Sequence, residues 1–116
     1  MGILVILNEP AYGNGRTYNG LRLALSLVKS EGTAVRVFLM GDAVSAAKPR
    51  QQTPDGYYNL ERMLKGLAQK GVPIGACGTC LDARGMADDT LVEGIHRSTM
   101  AELTAWTIEA AKVITF

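Results

Sequence analysis

The chain has 116 residues, 47% of them hydrophobic and 6% aromatic, with twelve basic side chains against eleven acidic ones for a formal charge of +1. This length fits one domain, 1–116, large enough to bury a core, and the apolar content excludes a disordered or fibrous chain. The near-neutral balance leaves no basic footprint for nucleic acid, and the opening Met1-Gly-Ile-Leu-Val-Ile-Leu7 has neither the basic flank of a signal peptide nor the length of a membrane span.

Met1-Gly2 is not a myristoylation signal, because Ile6 stands where that motif needs Ser or Thr. Two cysteines without a secretory signal point to reduced thiols, so a cytoplasmic location with no membrane contact is expected.

Ile3 to Leu7 is a continuous apolar run, the pattern of a strand buried on both faces of a parallel sheet. A loop follows, punctuated by Pro10, Gly13 and Gly15. Leu21, Ala24, Leu25 and Val28 then recur at helical spacing, and Gly32 closes that helix. Val35 to Met40 reads as the second strand, which completes a right-handed βαβ unit.

Asp42 to Ala47 suits one or two helical turns. The stretch from Lys48 to Gly56 is polar and twice interrupted by proline, so it is expected as a long solvated connection. Asn59 suits an N-cap, with Leu60, Met63, Leu64 and Leu67 as the apolar stripe of a helix ending at Gly71. Val72 to Ala76 reads as the third strand, with Pro73 tolerated near its start.

Beyond the cysteines, Leu91 to Ile95 is expected as a short fourth strand. Thr99-Met-Ala-Glu102 fits a capping box that opens a last helix. Met100, Leu103, Trp106 and Ala110 are expected on its inner face, and Lys112 to Phe116 reads as the final strand. Strands alternating with helices in this way predict a three-layer α/β/α sandwich on a mainly parallel sheet of about five strands.

The chemistry concentrates at Cys77-Gly-Thr-Cys80, which holds both cysteines of the chain. Thiols at the carboxyl end of a strand, in a glycine-rich turn, sit where open α/β sheets place their ligands. A thiol becomes a nucleophile as its thiolate, whose pKa falls beside backbone amides or a cation. Gly78 and Thr79 expose such amides, and Arg84 is near enough in sequence for a turn to bring it back.

Three chemistries could use the pair. A dithiol redox site needs C-x-x-C on a long helix, and Asp82, Gly85 and Asp88-Asp89 interrupt the sequence that follows. A zinc site needs four ligands, or three and a water, whereas the chain offers two cysteines and a distant His96. A sulfur carrier, holding sulfane sulfur as a persulfide, needs one nucleophilic thiol, no metal and no organic cofactor. A structural or regulatory module whose oligomer binds a small ligand, with unreactive cysteines, is the bland alternative, since free cysteines are commonly buried.

Secondary candidates lie at other strand ends. Gly13-Asn-Gly15-Arg16-Thr17 could hold an anion or simply start the first helix, and it lacks the dinucleotide fingerprint. Tyr12 precedes it and could face the same sheet edge as Cys77. Asp42 follows the second strand and could cap the next turn or hydrogen-bond near the thiol. His96 is a further candidate for proton transfer.

Taken together, Pro10-Ala-Tyr-Gly13, Val37-Phe-Leu-Met-Gly-Asp-Ala-Val44, Gly56-Tyr-Tyr-Asn59, Val72-Pro73, Cys77-Gly-Thr-Cys80, Arg84-Gly85 and Lys112-Val-Ile-Thr-Phe116 resemble the DsrE/DsrF-like family, in its YchN-like branch. The resemblance runs through the whole chain in the same order. It implies a homo-oligomer, often a hexamer, related to the DsrEFH proteins of sulfur oxidation and the TusBCD relay of tRNA thiolation. It also implies sulfur donor and acceptor proteins as partners. In such relatives a cysteine in the loop after a central strand accepts sulfur as a persulfide, and its place matches Cys77. Cys80 matches a second cysteine of the YchN-like branch. Sulfurtransferase-like persulfide relay is therefore expected, with Cys77 and Cys80 at the reacting centre and Tyr12, Gly13, Asp42, Gly78, Thr79 and Arg84 as binding candidates.

Overall fold

The first two apolar runs form β1 (Gly2–Leu7) and β2 (Ala34–Leu39), joined by α1 (Arg16–Leu27). A 3-10 segment occupies Gly41–Ala47, followed by α2 (Leu60–Gln69), β3 (Ile74–Cys77), α3 (Gly78–Ala83), β4 (Ile95–Ser98), α4 (Met100–Glu109) and β5 (Lys112–Thr115). The computed structural model describes residues 2–116. The strands form one sheet in the order β4-β3-β2-β1-β5, and every neighbouring pair is parallel. This is the expected three-layer α/β/α architecture.

Sheet order decides which helix covers which face. From β1 to β4 each step moves one strand in the same direction, so right-handed crossovers place α1 and α2 together on one face. The last crossover returns past β1 to β5 and places α4 on the other. Side-chain alternation follows this division. Leu7 packs under Gly20 of α1, whereas Phe38 meets Trp106 of α4 edge-on at 6.2 Å.

The α1 and α2 stripes are as spaced in the sequence: Leu21, Ala24, Leu60, Leu64 and Leu67 are buried. Asn59 caps α2, its Oδ1 accepting from the Arg62 N–H at 3.1 Å. Ala43, Val44, Ala46 and Ala47 of the 3-10 segment are also buried. The connection from Lys48 onward has no regular structure, as expected, but it is tied down. Gln51 Nε2 donates to the carbonyls of Ser45 and Lys48 at 2.7 and 3.0 Å.

Three expectations need correction. The fourth strand is not Leu91–Ile95 but Ile95–Ser98, and Val92 is instead buried with its N–H donating to the Ala47 carbonyl at 2.8 Å. An edge strand pairs on one side only, so Ile-His-Arg-Ser needs no apolar run, and charge there discourages edge pairing. Met100 does not face inward: it is 64% exposed, while Leu103 and Trp106 alone are buried on α4. The capping box forms only its first half. Thr99 Oγ1 accepts from the Glu102 N–H at 3.1 Å, but the Glu102 carboxylate is taken by Ser98 and His96.

Candidate functional site

β3 is buried along its whole length, and its last residue, Cys77, is also the N-cap of α3. Two glycines allow β4 and α4 to close on this strand end. A Cβ on Gly75 would stand 3.0 Å from Ser98 Cβ and 3.4 Å from Glu102 Oε1. A Cβ on Gly78 would stand 2.9 Å from the Ser98 carbonyl oxygen and 3.1 Å from Arg97 Cζ and Nε. Ser98 is the register partner of Cys77 across the β3–β4 ladder. Neither approach is open to a residue larger than glycine without displacement.

The turn into α3 separates the two thiols in character. Cys77 is 8% exposed, Cys80 is half-buried one helical turn on, and both are free. Cys77 Sγ lies 3.4 Å from the Thr79 hydroxyl. Cys80 Sγ accepts instead from the Gly41 N–H at 3.2 Å, which ties it to the 3-10 segment after β2.

Burial pushes the Cys77 thiol up. Hydrogen bonds from the Cys80 thiol, the Thr79 hydroxyl and the amides of Cys80 and Thr79 more than offset it, so the pKa lies below the ordinary thiol value. Cys80 moves the other way. Burial and the hydrogen bond it shares with Cys77 raise it, helped by the Cys77 charge, and the Gly41 amide and Arg84 only partly oppose this. The arrangement favours ionisation of Cys77 ahead of Cys80, whose thiol acts as a donor to it.

Arg84 does not turn back on Cys77 as the sequence spacing suggested. Its Nε and Nη2 both donate to Asp42 Oδ1, at 3.0 and 2.8 Å, and its Nη1 donates to the Cys80 carbonyl at 3.1 Å. Arg84 and Asp42 thus belong to the Cys80 side. Tyr12 serves another element: its hydroxyl accepts from the Leu60 N–H at 3.1 Å at the start of α2, and its ring stacks on Tyr58. Gly13 lies against Pro10, where a Cβ would meet Pro10 Cγ at 2.6 Å. The amide of Arg16 is satisfied by Asn14 and its guanidinium by Glu9 at 3.5 Å, so this turn uses its own donors. The Lys48-Pro-Arg50 stretch is anchored at α2, where the Arg50 N–H donates to Glu61 Oε1 at 2.6 Å.

Around Cys77 the structure assembles groups that the spacing of the motif did not indicate. A pocket of about 200 Å³ is lined by Phe38 and residues 77–79 on one part and by residues 97–100 on the other. It therefore contains Cys77, Gly78 and Thr79, and neither Tyr12, Gly13, Asp42 nor Arg84 lines it. Arg97 enters with its guanidinium against Gly78, and its Nη2 is held by Asp82 Oδ2 at 2.8 Å. The available signal was positional: Arg97-Ser98 immediately precedes the N-cap Thr99, which puts Arg97 at the carboxyl edge of the sheet. A larger hollow of about 530 Å³ runs along α2, but it is lined by Asn59, Glu61, Arg62, Lys65, Gly66 and Gln69 and holds no thiol.

His96 is committed elsewhere, to the Glu102 carboxylate, which also accepts from the Ser98 hydroxyl at 2.6 Å. No helix among the described residues is long and apolar enough to cross a membrane.

Comparison with known proteins agrees with this architecture. The model of the DsrE/DsrF-like family matches residues 1–116, and the chain belongs to that family. It is 41% identical to the protein YchN of Escherichia coli over 115 residues, covering 98% of this chain and 97% of that one. It is 37% identical to the protein MK0008 of Methanopyrus kandleri over 114 residues, covering 98% and 93% of the two chains. The crystal structure of the E. coli YchN protein superposes with a TM-score of 0.93 at 40% identity, covering 100% of this chain and 99% of that one. MTH1491 from Methanobacterium thermoautotrophicum shares the fold alone, at 18% identity and a TM-score of 0.76 over 99% and 98% of the two chains.

Proposed function

We propose that this member of the DsrE/DsrF-like family is a cytoplasmic sulfur carrier that holds sulfane sulfur as a persulfide on Cys77 and passes it to a partner thiol. The observation that carries the reading is the asymmetry of the pair. Cys77 lines a pocket and is surrounded by donors that favour its thiolate, while Cys80 keeps its proton and supplies one of those donors.

In the loading step the Cys77 thiolate attacks the outer sulfur of a donor persulfide. A new S–S bond forms, the donor's S–S bond breaks, and the donor leaves as its thiolate. Unloading is the same exchange with an acceptor thiolate attacking the outer sulfur and Cys77 as leaving group. Donors that stabilise the Cys77 thiolate raise the fraction of Cys77 poised to attack in loading and make it a better leaving group in unloading. No net oxidant, metal or organic cofactor enters this exchange.

The burial of Cys77 supports transfer through the pocket rather than at an open surface, and the partner must therefore present its sulfur on a slender group. The exposed side of α4 supports self-association as part of the same reading. Met100, Ala101, Thr104, Ala105 and Ile108 are exposed there with no charge among them, and Val113 of the adjoining layer is 42% exposed. Monomers seldom leave such a stripe uncovered.

Intact mass measurement after incubation with a sulfane-sulfur donor tests the carrier. The expected result is a gain of one sulfur that is lost in Cys77→Ser and retained in Cys80→Ser. No adduct from any donor on the folded protein rejects it in favour of a binding module with unreactive thiols. A reversible Cys77–Cys80 disulfide formed without sulfur gain would instead identify a dithiol redox protein.

A further inference from the structure

We propose that the pocket over Cys77 selects anionic sulfur donors and that Arg97 is the residue that sets this preference. The inference rests on the reading of Cys77 as the sulfur acceptor and names the class of small molecule, or charged terminus, that delivers the sulfur.

Arg97 is the penultimate residue of β4, next to Ser98, the residue paired with Cys77. Its guanidinium lies where the side chain of residue 78 would be if that residue were not glycine, with Cζ and Nε both 3.1 Å from the missing Cβ position. Close approach of a charged group to backbone is one of the uses of glycine. Here it brings a permanent cation against the first residue after the thiol.

The guanidinium has five N–H donors, and the ion pair with Asp82 engages Nη2 alone. The guanidinium has no other hydrogen-bond partner among the described residues, so the rest of the fork is available to a ligand. Asp82 fixes the orientation of the plane without occupying its other edge. A planar fork of this kind matches oxyanion and carboxylate groups in a way a lysine does not. Arg97 is within Coulombic reach of Cys77, whose negative charge favours the protonated guanidinium.

The remaining lining completes the selection. Thr79 supplies a hydroxyl beside the sulfur, and Phe38 and Met100 supply apolar surface. A sulfane sulfur is soft and weakly hydrated, so it suits the apolar part, while its anionic head suits Arg97. A volume of about 200 Å³ takes a small molecule or the end of a chain and excludes a folded surface. Arg84, the cation expected from the sequence, is unavailable for this task because Asp42 and the Cys80 carbonyl hold it.

Thiosulfate is the simplest probe of this chemistry. The Cys77 thiolate attacks the outer sulfur, the S–S bond of thiosulfate breaks, and sulfite leaves with the bonding pair. The outer sulfur stays on Cys77 as a persulfide anion, so atoms and charge balance with no further reactant.

The preference is measured independently of sulfur transfer by comparing alkylation of Cys77 by anionic iodoacetate and neutral iodoacetamide, followed on the Cys77 peptide by mass spectrometry. The ratio of the two rates is expected to fall about three- to fivefold in Arg97→Gln, the scale of one exposed charge pair. It should be only partly kept in Arg97→Lys, which restores the charge without the planar fork, and rise in Asp82→Asn, which removes the competing anion. A loosened structure would speed both reagents together and leave the ratio unmoved. An unchanged ratio in Arg97→Gln overturns the proposal. Persulfide formation from thiosulfate should slow in Arg97→Gln in parallel. If no donor persulfidates Cys77 yet the alkylation ratio behaves as described, the carrier reading fails and the anion pocket stands.

Discussion

The Gly41 N–H donates to Cys80 Sγ at 3.2 Å across 39 residues of sequence, joining the end of β2 to the first turn of α3. That contact ties Cys80 to the 3-10 segment, while its thiol counts among the donors that lower the Cys77 pKa. The CxxC pair is thereby made asymmetric, with the Cys77 pKa lowered and the Cys80 pKa raised.

Removing the donor should be felt at Cys77. Cys80→Ala deletes one of the hydrogen bonds that lower the Cys77 pKa, so the midpoint of its alkylation rate against pH should move upward. Cys80→Ser keeps an O–H donor and should move it less. Iodoacetamide kinetics across pH measure both, and a midpoint that stays in place in Cys80→Ala would show that Cys80 does not hold the thiolate.

Gly78 is expected to tolerate no side chain. In Gly78→Ala the new methyl would meet the Ser98 carbonyl at 2.9 Å, and that atom is backbone of the β4 edge. Overpacking of this kind costs about 1–3 kcal/mol, which should appear as a lower urea midpoint with an unchanged slope. Equal midpoints for the two proteins would mean that β4 is free to retreat.

Acid should weaken the fold partly through Glu102. Burial pushes its carboxyl up, but hydrogen bonds from Ser98 and His96, with the charges of His96 and Arg36, hold it below the ordinary 4.5. A folded pKa below the unfolded one means that ionised Glu102 favours the native state above about pH 4.5, a contribution lost as pH falls through the folded value. Glu102→Gln should lose about 1 kcal/mol at neutral pH, given the partial exposure of the site, and then decline less steeply in acid. Urea unfolding from neutral to acid pH checks the sign: two parallel curves would remove Glu102 from the acid response.

Ile108 tests assembly. It is 79% exposed in the single chain, so Ile108→Lys should change monomer stability by no more than about 0.5 kcal/mol. Light scattering on the eluting protein should nevertheless report a smaller particle than for the parent, because a lysine would be buried in the contact between copies. An unchanged mass would place any self-association on a different face.

Much of this protein is determined locally. The unbroken apolar runs of β1 and β2 have to be buried on both faces, the stripes of α1 and α2 need a sheet to cover, and Asn59 and Thr99 cap their helices with their own side chains. Those properties depend on residues within a few positions of one another, so the α/β class and the place of the thiols at a strand end were legible without coordinates. The third dimension decided what each thiol meets. β4 is an edge strand whose pairing with β3 is set by backbone hydrogen bonds, and Ile-His-Arg-Ser carries no periodicity to announce it. Yet that register brings Arg97 against Gly78 and Ser98 beside Cys77. Arg84, four residues beyond Cys80, was the nearer cation in sequence, and Asp42 of the 3-10 segment captured it. A charge interacts with whatever is close in space, and the stacking order of parallel strands sets that closeness through contacts that no local stretch of sequence contains.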